Sequence, residues 1–120
     1  MRVAGLVLVD VDTGKTVAQD LRVAATFGKR LIGLMGRKAL GPGEGLLLER
    51  CHSIHTFFMK FPIDLAYLDE NFRVVAVHSG VRPWRVVLGA PSGLHALEMA
   101  EGSFAAAGLE AGHRLRFGTA

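Results

Sequence analysis

Short apolar runs, each bounded by turn-forming residues, follow one another along this chain. Residues 3–9 (VAGLVLV) and 63–68 (IDLAYL) are apolar at odd and even positions alike, which is typical of strands buried on both faces. Acidic or glycine-containing turns follow them, at residues 12–15 and 69–71. Because no long helical pattern lies between these runs, the sequence does not favour a doubly wound parallel sheet.

The same reasoning places further strands at residues 16–22, 46–49, 54–58, 73–78, 94–100 and 114–117. In the last of these we expect Leu115 and Phe117 to point inward. Residues 80–93 contain five Gly or Pro residues and predict a long loop.

Two short helices complete the prediction. Thr26 is a suitable N-cap for a helix of about ten residues that ends at Gly36. Ser103 is a suitable N-cap for a helix of one to two turns that ends at Gly108. The fold class predicted is mainly β (α+β): a small, partly closed mixed β-barrel of about seven or eight short strands with two short helices.

Length and charge restrict the class of protein further. We expect 120 residues to form a single domain, residues 1–120. One cysteine excludes an intramolecular disulfide and favours a reducing compartment, so we expect a cytoplasmic protein. The seven-residue run 3–9 predicts neither a membrane span nor a signal peptide. The net charge of +3 permits weak attraction to anions, but the basic residues are scattered and not interleaved with aromatic residues, which disfavours nucleic acid as a partner.

The densest cluster of reactive side chains is Cys51, His52 and His55. A zinc site usually needs four ligands with paired spacing, and no second pair of this kind exists. In an extended strand, Cys51 and His55 would lie about 13 Å apart, too far to share one ion. We therefore expect no metal and no cofactor.

Cys51 also suggests nucleophilic catalysis. Asp64 stands alone in an apolar strand, so we expect it to be buried and hydrogen-bonded. It could orient a histidine that activates Cys51, which makes Cys51, His55 and Asp64 a candidate catalytic set for a hydrolase or transferase. The opposing interpretation is that Cys51 is a small core residue.

Within the predicted loop, Trp84 stands between Arg82 and Arg85, beside Pro83. Trp and Arg anchor many interfaces, and Arg holds carboxylates or phosphates in a forked geometry. This segment is either an exposed recognition loop or a plug in which Trp84 covers the mouth of the barrel.

Taken together, several motifs resemble the prokaryotic family called domain of unknown function 192. They are residues 30–37 (RLIGLMGR), 45–48, 54–69 (IHTFFMKFPIDLAYLD), 81–84, 96–98 and 108–112, from about residue 20 to the C-terminus. The resemblance implies a small mixed β-barrel with short helices, and the family name carries no reaction or ligand. The chain departs from relatives in Phe61-Pro62, where Asn-Thr is common, and in His113, where Asp is common.

The sequence as a whole favours a non-catalytic binding or accessory module for a small anionic ligand or a protein partner. The alternative is the Cys51 hydrolase or transferase. The predicted binding residues combine aromatic, basic and polar side chains. They are His55, Phe58, Met59, Lys60, Asp64, Arg82, Trp84 and Arg85.

Overall fold

The computed structural model describes residues 6–24 and 39–119. Within these ranges the chain is β-rich, with ten short strands and one short helix. The strands are β1 (Leu6–Asp10), β2 (Thr16–Ala18), β3 (Asp20–Ala24), β4 (Glu44–Leu48), β5 (Ser53–His55), β6 (Ile63–Leu68), β7 (Val74–Val81), β8 (Val86–Leu88), β9 (His95–Ala100) and β10 (Leu115–Thr119), and the helix is α1 (Ser103–Ala107).

A five-stranded sheet of order β3-β4-β9-β6-β7 forms the centre of the fold. β3 and β4 are parallel, and the other neighbouring strands are antiparallel. All six residues of β6 are buried, because this inner strand is covered on both faces. That burial explains why residues 63–68 are apolar at both parities.

A second sheet, of order β10-β1-β2, and helix α1 cover one face of the central sheet. Leu8, Phe104 and Leu115 pack there against Leu97 and Met99. We call this side of the central sheet the helix face.

The antiparallel pair β5-β8 packs on the other face of the central sheet. Ile54 and Val87, which are paired in this two-stranded ribbon, contact the apolar cluster that contains Leu65 and Tyr67. We call this side the ribbon face. It carries the loops that the sequence singled out.

Within the described residues, the sheets do not close into the predicted barrel. One isolated bridge, between Arg73 and Arg114, links the segments that lead into β7 and β10. The predicted return strand 16–22 is also split in two. The backbone N–H groups of Gln19 and Asp20 both donate to the Gly43 carbonyl, at 2.8 and 3.1 Å, so the chain leaves β1 and joins β4 at this point. The result is a layered fold.

Helix α1 ends at Gly108, in the left-handed conformation, as the sequence predicts. Its N-cap, however, is Gly102 and not Ser103, and no side-chain oxygen of the cap residue bonds to the helix. Instead, the carboxylate of Asp64, in β6, accepts a hydrogen bond from the Phe104 N–H in the first turn of the helix. The helix predicted from Thr26 lies outside the described residues, and within them no helix is long and apolar enough to span a membrane.

Two local predictions were wrong. Strand β8 lies inside the segment predicted as a loop. Phe117 is 36% exposed and meets Phe72 edge-on, with ring centroids 5.1 Å apart, instead of pointing into the core. The reason is that β10 lies at the edge of its sheet and runs beyond the core after Leu115.

Candidate functional site

Thr56 fixes the shape of the Arg82–Arg85 loop. Its hydroxyl is fully buried, donates to the Arg82 carbonyl at 2.6 Å and accepts from the Arg85 N–H at 2.8 Å. The Thr56 N–H donates to the Arg85 carbonyl at 2.8 Å, and its carbonyl accepts from the Trp84 N–H at 3.0 Å. One threonine thus makes four hydrogen bonds to the loop. Sequence reasoning missed this residue, since a lone threonine after a strand carries no distinctive signal.

An aromatic cluster lies where this loop meets the chain after β5. The ring centroids of Phe58 and Trp84 are 4.9 Å apart, and those of Phe57 and Trp84 are 5.7 Å apart. His55 stacks on Phe57 at 5.0 Å. Phe58 and Trp84 are 58% and 56% exposed, so the loop does not insert Trp84 into the core. Met59, by contrast, is buried in the apolar cluster of the ribbon face.

Both exposed aromatic residues have a left-handed backbone, with φ of 65° at Phe58 and 64° at Trp84. A bulky side chain in this region is a conformational outlier. Such strain costs on the order of 1–3 kcal/mol per residue and persists where the surroundings enforce it, often at functional sites. At Trp84 the bonds to Thr56 provide that enforcement.

Replacing Trp84 with glycine should leave the fold more stable than replacing it with alanine, by about 1 kcal/mol. Glycine accepts a positive φ without strain, whereas alanine keeps the Cβ clash. Urea unfolding of the two variants measures the difference. The matched pair Val86→Gly and Val86→Ala, in the regular strand β8, should show the opposite order. A Trp84→Ala variant at least as stable as Trp84→Gly would contradict the strain at this position.

Three exposed basic side chains, Lys60, Arg82 and Arg85, belong to the same two segments as the aromatic cluster. Neither residues 50–63 nor residues 71–97 contain an Asp or Glu. We call the group of Phe57, Phe58, Lys60, Arg82, Trp84 and Arg85 the aromatic–basic surface. Its composition suits a ligand that has both anionic and apolar groups.

Asp64 is 1% exposed and accepts three backbone hydrogen bonds, as its place in an apolar strand predicts. The donors are the N–H groups of Gly80 at 3.0 Å, Gly102 at 3.1 Å and Phe104 at 3.1 Å. The carboxylate therefore fixes the first turn of α1 and the end of β7, two residues before Arg82. It lies on the helix face.

Cys51 packs against the apolar cluster of the ribbon face, so the central sheet separates it from the Asp64 carboxylate. The Cys51 thiol donates to the Ser53 carbonyl at 3.1 Å, and His55 Nδ1 accepts from the Phe57 N–H at 3.2 Å. The structure does not bring Cys51, His55 and Asp64 together as a catalytic triad. Among the residues described, no three His, Cys, Asp or Glu side chains converge as metal ligands.

Glu98 is a buried acid that the sequence reasoning overlooked. It lies in the inner strand β9, between Leu46 of β4 and Leu65 of β6, and burial raises its pKa to about 8. The pKa of nearby Tyr67 is raised to about 12, first by burial and then by Cys51, while its hydroxyl donates to the Val87 carbonyl at 2.6 Å. The signal was available, because Glu98 interrupts an apolar strand just as Asp64 does.

The structure is that of a small β-rich domain of layered sheets, with exposed aromatic and basic side chains in the loops of one face. The chain belongs to the family called domain of unknown function 192, described as an uncharacterized ACR, whose model matches residues 9–117. This confirms the family predicted from the motifs.

Two archaeal relatives are UPF0127 proteins. That of Pyrococcus furiosus is 31% identical over 116 residues, covering 92% of this chain and 97% of the relative. That of Pyrococcus horikoshii is 41% identical over 75 residues, which is 58% of this chain and 62% of the relative, so the match spans less than two thirds of that protein.

A crystal structure of a protein of unknown function from Novosphingobium aromaticivorans superposes with a TM-score of 0.81. The superposition covers 97% of this chain and 92% of that one, at 19% sequence identity. This likeness shows that the two chains share a fold.

Proposed function

We propose that this chain is a single-domain, non-catalytic binding module of the cytoplasm, and that the aromatic–basic surface holds its ligand or partner. The observation that carries the proposal is the exposed Phe58–Trp84 pair, held on strained backbone between basic side chains. Exposed aromatic residues with arginines beside them are the residue types that dominate binding energy at protein interfaces.

The residues of the proposed site have two kinds of role. Phe58 and Trp84 offer apolar contact area, and Lys60, Arg82 and Arg85 attract anionic groups. The buried residues Met59 and Asp64, with the half-buried His55, position this surface. The ligand class that fits is a small anionic molecule with an apolar part, or an acidic protein partner.

Capture from native lysate tests the proposal. Immobilised wild-type protein should retain a partner that Trp84→Ala and the double variant Arg82→Ser/Arg85→Ser both fail to retain. Because the side chains of Arg82, Trp84 and Arg85 are exposed, the free energy of unfolding of these variants should lie within about 1 kcal/mol of the wild-type value.

Two control variants separate this surface from other features of the chain. Arg116→Ser removes an exposed arginine from β10, on the opposite side of the central sheet, and should leave capture unchanged. Cys51→Ser should also leave it unchanged, whereas a Cys51-dependent hydrolase or transferase would lose its activity. Capture that survives both Trp84→Ala and the double arginine change would refute the proposed surface.

A further inference from the structure

Strand β8 presents an unpaired edge next to the aromatic–basic surface. In an antiparallel ladder, hydrogen-bonded and non-hydrogen-bonded pairs alternate. The Gly89 N–H donates to the His52 carbonyl and the Thr56 N–H to the Arg85 carbonyl, each at 2.8 Å. The N–H and C=O groups of Val86 and Leu88 therefore point away from β5.

No backbone partner meets these outward groups among the residues described. The side chains of Val86 and Leu88 are 59% and 74% exposed, while that of Val87, between them, packs on the ribbon face. The edge of β8 thus combines free hydrogen-bonding groups with two exposed aliphatic side chains. Such an edge is a template for an added strand.

The outer edge of β5 differs from that of β8. There the Cys51 thiol donates to the Ser53 carbonyl at 3.1 Å, which occupies one of the outward-facing acceptors. No side-chain bond of this kind occupies the outward groups of Val86 or Leu88 among the residues described, so the β8 edge is the more open of the two.

Charge identifies the kind of strand that fits. Arg85 directly precedes β8, Arg82 and Lys60 lie in the neighbouring segments, and residues 71–97 contain no acid. A second copy of this chain paired edge to edge would bring these basic groups against their own kind, which is unfavourable. An acidic segment would meet complementary charge.

We propose that β8 binds an extended acidic peptide segment of a partner protein, which adds as a strand to its open edge. Alternate backbone groups of the peptide bond to Val86 and Leu88, and its carboxylates lie near Arg82, Arg85 and Lys60. Phe58 and Trp84 contact its apolar side chains. This inference rests on the proposed function and names the partner class for the same surface.

The probe is a capped ten-residue peptide of alternating Glu and Val, titrated against the full chain by calorimetry. Two N-methylated versions are compared, one methylated at every Glu amide and the other at every Val amide. Wild type should bind the unmodified peptide at least tenfold more tightly than the version whose methyl groups lie on the edge that pairs with β8. A peptide with Lys in place of Glu should bind at least tenfold more weakly than the Glu peptide.

Two variants of the protein probe the same edge. Leu88→Pro removes an N–H that does not pair with β5 and should weaken peptide binding at least tenfold. Leu88→Ala keeps that N–H and loses only side-chain contact, so it should bind the peptide at least threefold more tightly than Leu88→Pro. If Leu88→Pro does not fold, the N-methylated peptides still decide the matter.

The outcomes separate this inference from the proposed function. Equal binding of methylated and unmethylated peptides would overturn strand addition and leave the surface as a site for anions. If the peptide does not bind but capture from lysate still depends on Trp84, the inference of an acidic peptide partner is overturned and the proposed binding surface stands. Absence of both would overturn the proposed function too. A wild-type dimer that Leu88→Pro dissociates would show that a second copy occupies the edge, against the proposal.

Discussion

Replacing Asp64 with alanine is expected to destabilise the fold by about 3–5 kcal/mol. The change removes a buried acceptor that three backbone N–H groups share, those of Gly80, Gly102 and Phe104. Removing one partner from a buried, charged hydrogen-bond network costs about 3–5 kcal/mol, because the groups left behind stay desolvated without a partner. Equilibrium unfolding in urea measures the loss.

Two variants make the Asp64 result specific. Asp64→Asn keeps one acceptor oxygen and should fall between wild type and Asp64→Ala. Glu110→Ala removes an exposed acid and should change the free energy of unfolding by less than about 0.5 kcal/mol. If Asp64→Ala lowers the free energy of unfolding no more than Glu110→Ala does, the Asp64 carboxylate does not support α1 and β7 as described.

Glu98 should make the fold less stable as the pH rises from about 4.5 to 8. Burial raises the pKa of Glu98 from 4.5 to about 8, so in this range the folded chain holds a proton that the unfolded chain has released. The contribution of Glu98 to the free energy of unfolding is therefore complete below pH 4.5, and it falls until the folded carboxyl itself ionises near pH 8. Between pH 4.5 and 7 the loss is roughly 3 kcal/mol.

The variant Glu98→Gln isolates this effect, because its amide stays neutral at every pH. The difference in unfolding free energy between Glu98→Gln and wild type should shift by roughly 3 kcal/mol in favour of the variant from pH 4.5 to 7. Glu110→Gln should show no such shift, as Glu110 is exposed. A constant difference between Glu98→Gln and wild type across this range would mean that Glu98 is already ionised in the folded chain.

Part of this fold could be predicted because the sequence pattern of some segments determines whether their side chains are buried. Strand β6 occupies residues 63–68 as predicted, since a run that is apolar at both parities must be covered on both faces. The burial and hydrogen bonding of Asp64 followed from the same strand, although the strand did not show whether backbone N–H groups or a basic side chain would be the donors. Trp84 and its neighbouring arginines stand out in the sequence as residue types common at interfaces, but the sequence leaves open whether Trp84 is exposed or covers a barrel mouth.

Other features depend on partners that lie far away in sequence. β8 is only three residues long and lies among glycines and prolines, so its pairing with β5 has no periodic signal. The break at Gln19 arises because Gly43 accepts two bonds there, which no local pattern reveals. Closure into a barrel depends on strand tilt and stagger, which composition does not determine.

The most direct measurement of the central claim uses the fluorescence of Trp84, the only tryptophan in the chain. In the free protein its emission should be that of a solvent-exposed indole, readily quenched by acrylamide. When the partner captured from lysate is added back to saturation, the proposed surface predicts a shift to shorter wavelength and protection from the quencher. Saturated binding that leaves both emission and quenching unchanged would show that the partner binds elsewhere, and would contradict the account.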